Sequence, residues 1–137
     1  RKYKIKCIPK ISNKINIIKR GKDVTDKKEQ TNVVYKLNCK DCSASYVGQT
    51  QRELNRRISE HKFRKIEASA VYQHKVLKRH EFDYDKVKIL DKENEWRKRI
   101  VSEMIYINLQ KNSINLTDDT QNLRSVYVPF LDKWKEK

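Results

Sequence analysis

Tyr35 and Tyr46 each sit in a short stretch of β-branched and aromatic residues, NVVYKLN and SYVGQ, and Gly48 follows the second tyrosine closely. Such stretches form strands. A glycine in or just after a strand lets another backbone or a phosphate come close. Further along, Arg57 and His61 are four residues apart, so they share one face of a helix. A guanidinium can hold a phosphate by paired hydrogen bonds, and an imidazole can give or take a proton near neutral pH. Glu103 lies inside the apolar run IVSEMIYI. A carboxylate beside a buried stripe needs a partner or a metal, and a hard divalent ion such as Mg²⁺ accepts one carboxylate while keeping several waters. Each feature also has an ordinary reading when taken alone. The tyrosines and glycine describe any aromatic strand pair with a turn, the Arg–His pair any solvated helix face, and Glu103 a surface carboxylate paired with Arg99 one turn earlier.

The bulk properties favour phosphate chemistry. Lys and Arg number 33 against 18 acids, a formal net charge of +15 over 137 residues. A balance this basic points to a polyanionic partner, because phosphate neutralisation releases counterions. With 36% hydrophobic residues the core must be small, and a small core gains from a bound metal. No run of about 18 apolar residues is present, so no membrane span is expected, and no signal peptide is visible. The three cysteines and the absence of a secretory signal fit an intracellular protein, in which paired cysteines hold metal more often than they form a disulfide. The chain opens on Arg1, which fits a piece of a longer polyprotein.

Several elements must position these groups. Residues 1–31 are Lys-rich and irregular, with isoleucines of no clean period, Pro9, Gly21 and an exposed turn at Arg20–Asp23. They read as a basic arm or linker from an upstream domain that lies on DNA or RNA. Residues 32–38 and 45–49 should form an antiparallel hairpin. A helix over residues 52–65 would be capped by Thr50, with Glu53 completing a capping box. Further elements are a helix over residues 69–78 capped by Ser69, a strand over residues 87–90, and a long helix over residues 93–109. In that long helix Trp96, Ile100, Met104 and Ile107 mark a buried stripe. The expected fold is α+β: a small three-stranded antiparallel sheet flanked by helices, with a core at residues 32–117 and a tail at residues 118–137.

Taken together, VVY at residues 33–35, YVG at residues 46–48, Arg57, His61, Glu103 and Asn115 resemble the GIY-YIG nuclease superfamily. Val33 departs from the family's first glycine, a position that carries no catalytic side chain. The resemblance implies a metal-dependent DNA endonuclease with Tyr35, Tyr46, Arg57, His61, Glu103 and Asn115 as catalytic residues and DNA backbone near Gly48. It implies Glu103 as the ligand of Mg²⁺ or Mn²⁺, Tyr46 as activator of the attacking water, and Asn115 as an orienting group for the Glu103 region. Tyr35 would share the activating role, and His61 is the rival base. A phenol is a poor base at neutral pH unless a cation lowers its pKa, and Lys36, Arg57 or His61 could supply that cation.

Residues 33–62 more narrowly resemble the endonuclease of Penelope-like retroelements, which carry a cysteine pair between the two tyrosine motifs. That resemblance implies a structural Zn²⁺ held by Cys39, Cys42, His74 and His80. The two-residue gap in Cys39-Lys-Asp-Cys42 is that of a zinc knuckle, and the five residues between His74 and His80 suit a His pair. Free thiols and surface histidines are the plain alternative, and Cys7 is left without a partner. The implied role is a single-strand nick that supplies a 3′-hydroxyl to an upstream reverse transcriptase domain. Element RNA would be a further partner, and the nucleus the site of action. A zinc-stabilised, non-catalytic nucleic-acid-binding module and a stand-alone homing or repair nuclease are the other readings.

Overall fold

In a computed structural model of the protein, which describes residues 26–123 and 127–135, the central element is strand β1, Val33–Asn38. Its first three residues, Val33, Val34 and Tyr35, are all fully buried, because the strand is flanked on both edges and covered on both faces. Strand β2, Ser45–Thr50, pairs antiparallel on one side, and strand β3, Lys88–Lys92, pairs antiparallel on the other, giving the order β2-β1-β3. Tyr35 stands directly opposite Gly48. The β1–β3 register slips between Val34 and Tyr35, a bulge that bends the strand beside the tyrosine.

Side chains alternate across the sheet. On one face Val33, Tyr35 and Leu37 pack with Leu54 and Ile58 of helix α1, Leu54–Phe63, and with Val71 of helix α2, Ala70–Lys78. On the other, Val34 and Val47 pack against Ile107 of helix α3, Trp96–Leu109. The sheet is therefore the middle of three layers, as expected for a small α+β domain, and β2 is an edge strand.

Several local expectations need correction. Thr50 does not cap α1. It is the last residue of β2, paired with Val33, and its hydroxyl is engaged by the amide and carbonyl of Arg52. The N-cap is Glu53, and no side-chain cap bond forms. Ser69 does cap α2, though again without a side-chain bond. Helix α3 starts at Trp96 rather than at Glu93. Trp96 is not part of the buried stripe: it is 58% exposed, while Arg99 in the next turn is 1% exposed. Arg99 wins the interior because its surroundings satisfy the guanidinium. Nε donates to Gln49 Oε1 at 2.9 Å, and Nη1 donates to Asn32 Oδ1 at 3.2 Å and to the Glu93 carbonyl at 2.9 Å. The other ordinary reading of this region, a Glu103–Arg99 surface pair, does not describe it.

Past α3 a final helix, α4, Val128–Lys135, packs on α3. Pro129 sits in its first turn, where a missing amide proton costs no helical bond. At the other end, the Gln30 carbonyl accepts the Leu54 amide at 2.9 Å, so residues 26–31 dock on the start of α1. The basic arm proper, with the Arg20–Asp23 turn and Cys7, lies outside the described residues.

Candidate active site and metal centre

The site is built across the free edge of β2. An edge strand leaves every second amide and carbonyl unpaired. The segment after α3 meets this need: the Ser45 amide donates to the Asn112 carbonyl at 2.9 Å, and the Ile114 amide donates to the Ser45 carbonyl at 3.0 Å. Asn115 continues the pairing with its side chain. Its Oδ1 accepts the Val47 amide at 3.0 Å and its Nδ2 donates to the Val47 carbonyl at 2.7 Å. The next outward amide, that of Gln49, bonds the Glu103 carboxylate. Asn115 thus holds β2 between Tyr46 and Gly48, and its hydrogen bonds run to Val47, Ser113 and Asp119 rather than to Glu103.

On the α1 face the two tyrosines converge with that helix. Arg57 Nε donates to the Tyr35 hydroxyl at 3.2 Å, and that hydroxyl lies 2.7 Å from His61 Nε2. The Tyr35 hydroxyl is thus shared between the guanidinium, which donates to it, and the imidazole, with which it exchanges a second hydrogen bond. Burial and, next, the Arg57 charge lower the His61 pKa to about 4, so the imidazole is neutral at physiological pH. The Tyr46 ring meets His61 edge to face at 5.2 Å between centroids. Burial pushes both phenols above their ordinary value, most strongly the fully enclosed Tyr35, while Arg57 opposes the shift at each. Lys36 cannot lower the phenols: it points to the opposite face and donates to Gln110 beyond α3. His61, being neutral, cannot do so either, which leaves Arg57 as the cation beside the phenols.

Gly48 is what lets the rings meet. A Cβ at this position would lie 2.8 Å from the Tyr35 hydroxyl and 2.8 Å from a ring carbon of Tyr46. What approaches Gly48 is therefore a pair of phenols. Gly48→Ala should force both rings off their positions, costing about 1–3 kcal/mol of stability, as overpacking does. Thermal unfolding would check this, and an alanine variant as stable as its parent would contradict the ring placement.

Tyr46, Arg57, His61, Glu60, Arg64 and Asp119 line a cavity of about 240 Å³. Glu103 approaches from the α3 side. Burial, then the Asp119 charge, raise its pKa to about 7, against the Gln49 amide and the charges of Arg57 and Arg99. The negative charge of Glu103 in turn raises both phenol pKa values. The five groups singled out from sequence, Tyr35, Tyr46, Arg57, His61 and Glu103, therefore share one electrostatic neighbourhood, with Asn115 as its brace. Glu103 and Asp119 supply carboxylate oxygens, the hard donors that Mg²⁺ takes, so the donor chemistry fits such an ion.

Two site residues escaped sequence reasoning. Asp119 is held by the Leu116 amide at 3.1 Å and by Asn115 Nδ2 at 3.2 Å; nothing in its local sequence marked it. Glu60 binds Arg52 through two hydrogen bonds, at 2.8 and 2.9 Å, and Arg57 at 3.1 Å. Its place three residues after Arg57 on α1 was the available signal.

On the far side of the hairpin, Cys39, Cys42, His74 and His80 come together, with one ligand atom from each lying within 4.8 Å of the others. Cys39 Sγ lies 3.6 Å from His80 Nδ1, Cys42 Sγ lies 3.6 Å from His74 Nε2, and the two imidazole nitrogens are 3.3 Å apart. Tetrahedral bonds of the usual metal–sulfur and metal–nitrogen lengths put S and N about 3.6 Å apart and N and N about 3.3 Å apart. The four donors therefore fit a tetrahedral ion. Local conformation delivers them. Cys39 bridges to Phe82 at the end of β1, and Cys42 sits in the hairpin connection. Arg79 takes a left-handed conformation, φ 56°, at the C-cap of α2, which turns the chain so that His80 comes back against His74.

A family model described as the GIY-YIG catalytic domain matches residues 31–115, well over half of the chain. No curated protein and no solved structure matches it.

Proposed function

From a chain that belongs to the GIY-YIG family and is a nuclease of that type, we propose a single-strand DNA endonuclease using Mg²⁺ or Mn²⁺ at Glu103 and a structural Zn²⁺ at Cys39, Cys42, His74 and His80. The observation that carries this reading is the single cavity holding Tyr46, Arg57 and His61, with Glu103 near enough to shift the phenols.

In the proposed reaction the oxygen of a water bonds to phosphorus, and the bond from phosphorus to the 3′ oxygen breaks. The products are a 5′-phosphate and a 3′-hydroxyl. Tyr46, as its phenolate, takes one proton of the water, because it faces the cavity while the hydroxyl of Tyr35 is committed to Arg57 and His61, and the departing 3′ oxygen takes a proton from solvent. Arg57 holds the phosphate and stabilises the charge that grows on it. A divalent ion, when bound, neutralises charge at the phosphate and leaving oxygen. His61 keeps Tyr35 and Tyr46 in place. Asn115 fixes the strand that carries Tyr46.

One cavity of this kind predicts one cut per encounter. With Mg²⁺ and supercoiled plasmid, open circles should accumulate well before linear DNA. Linear product from the first time point would refute the nickase reading, and no cleavage with either metal would favour the binding module.

The choice of base is open to a pH test. Burial places the Tyr46 pKa above its ordinary value, so only a small phenolate fraction exists near pH 7 and it grows tenfold per pH unit. Under saturating metal, the cleavage rate should therefore climb steadily from about pH 6 to 9 if Tyr46 is the base. Were His61 the base, with its pKa of about 4, the rate would be flat over that range.

The cysteine pair between the tyrosine strands, now assembled with two histidines, supports the Penelope-like retroelement reading. In that setting the nick primes an upstream reverse transcriptase on nuclear DNA, with element RNA as a further partner. A reverse transcriptase reading frame upstream of this segment would bear that out, and a homing or repair context would replace it.

A further inference from the structure

A second cavity, of about 390 Å³, opens beside the first and is lined by Gln49, Thr50, Arg52, Arg57, Trp96 and Arg99. Arg57 belongs to both cavities, so the two meet at the residue assigned to the scissile phosphate. Two features of the second cavity have no role in the chemistry above.

The first is the charge of Arg99. This side chain is almost wholly buried, and its hydrogen-bond partners are neutral: Gln49, Asn32 and the carbonyls of Glu93 and Asn94. Among the described residues it makes no ion pair; Glu103 registers its charge only at longer range. A buried cation with no contacting counterion favours an anion brought from outside. The first turn of α3 lies at the same place, its N-cap Glu95 making no side-chain cap bond, and adds the positive end of a helix dipole. The second feature is Trp96. It stands 58% exposed on the rim of this polar cavity, although indole surface is ordinarily buried. A cationic floor with an aromatic rim is the chemistry of a nucleotide site: charge for the phosphate, a flat ring for the base.

We infer that this cavity holds the nucleotide adjoining the scissile phosphate, its phosphate over Arg52 and Arg99 and its base stacked on Trp96. The inference rests on the nuclease reading for the position of the scissile phosphate. Stacking on Trp96 requires the base to leave the duplex, so the enzyme should favour DNA that is unpaired next to the cut.

The test uses the full chain carrying Glu103→Gln, to prevent cleavage, and Trp134→Phe, to leave Trp96 as the only indole. A short single-stranded DNA oligonucleotide should quench its fluorescence. With binding read from the anisotropy of a dye-labelled oligonucleotide, Trp96→Ala should weaken single-strand binding about tenfold, in the range that base stacking on an aromatic supplies, and should weaken binding of a fully paired duplex much less. Trp96→Phe should restore most of the affinity, which a merely structural role in α3 would not explain. Binding without quenching, or an alanine variant that binds single strands as well as its parent, would overturn the subsite while leaving the nuclease intact. Failure to bind any DNA, with no nicking by the unmodified chain, would overturn the nuclease reading itself.

Discussion

Glu103→Gln is expected to lower plasmid nicking by about a thousandfold or more, without unfolding the protein. The glutamine oxygen can still accept the Gln49 amide that Glu103 accepts now, so the edge of β2 stays closed. What is lost is the negative charge that would hold the divalent ion. Arg57→Ala should lose about 10²–10³-fold, the usual size for removing one preorganised donor to a developing oxyanion. The two variants should differ in stability. Glu103 has its folded pKa raised to about 7, so the folded state holds a proton that the unfolded state releases. In the metal-free protein, wild-type stability therefore falls as pH rises from about 4.5 to 7 and is level above that. The glutamine variant is free of this loss, and its melting temperature should exceed that of wild type by a margin that grows over that range. Arg57→Ala should melt lower, because the buried Tyr35 hydroxyl and the Glu60 carboxylate each lose a charged hydrogen-bond donor. Nicking at the wild-type rate by both variants would end the assignment of this site.

The second large effect concerns the Cys2His2 centre. Stripping its ion with a strong chelator should lower the melting temperature by roughly 10–20 °C, since structural metal contributes several kcal/mol of folding free energy and a domain this small shifts by about 4–8 °C per kcal/mol. The cluster joins the end of β1 and the hairpin connection to α2 and to the segment running into Phe82. Cys42→Ser is the cleanest variant, since Cys42 is exposed and makes no core contact, whereas Cys39 is itself a core residue. It should reproduce the chelator's effect, and Mg²⁺ should not reverse it. Protein purified without chelator should carry about one equivalent of zinc. An unchanged melting temperature after chelation, with under half an equivalent of metal, would leave the cluster as two thiols and two imidazoles.

Much of this was legible beforehand because it depends on short-range pattern. The β-branched runs around Tyr35 and Tyr46, the spacing of Arg57 and His61 and the apolar setting of Glu103 each constrain one element, and a family pattern links the elements. Legibility failed where neighbours distant in sequence settled the outcome. Thr50 has the form of a helix cap, but pairing with Val33 claims it for the strand. Trp96 has the hydropathy of a core residue and Arg99 that of a surface one, yet acceptors from Asn32, Gln49 and Glu93 make the interior suit the arginine. Asp119 carried no local sign at all.

Sequence alone determined the chemical inventory and the secondary-structure frame: a basic chain, two phenols on strands, a guanidinium and imidazole on one helical face, and a carboxylate on another helix. Periodicity and residue type fix these because they act over a few neighbouring positions. Only the tertiary structure decided that β2 is an edge strand. Its unpaired amides draw Asn115 from one segment and Glu103 from another, and the absent side chain at Gly48 admits both rings. Long-range backbone pairing and burial set those choices, and no local stretch of residues encodes which partner a distant edge will find.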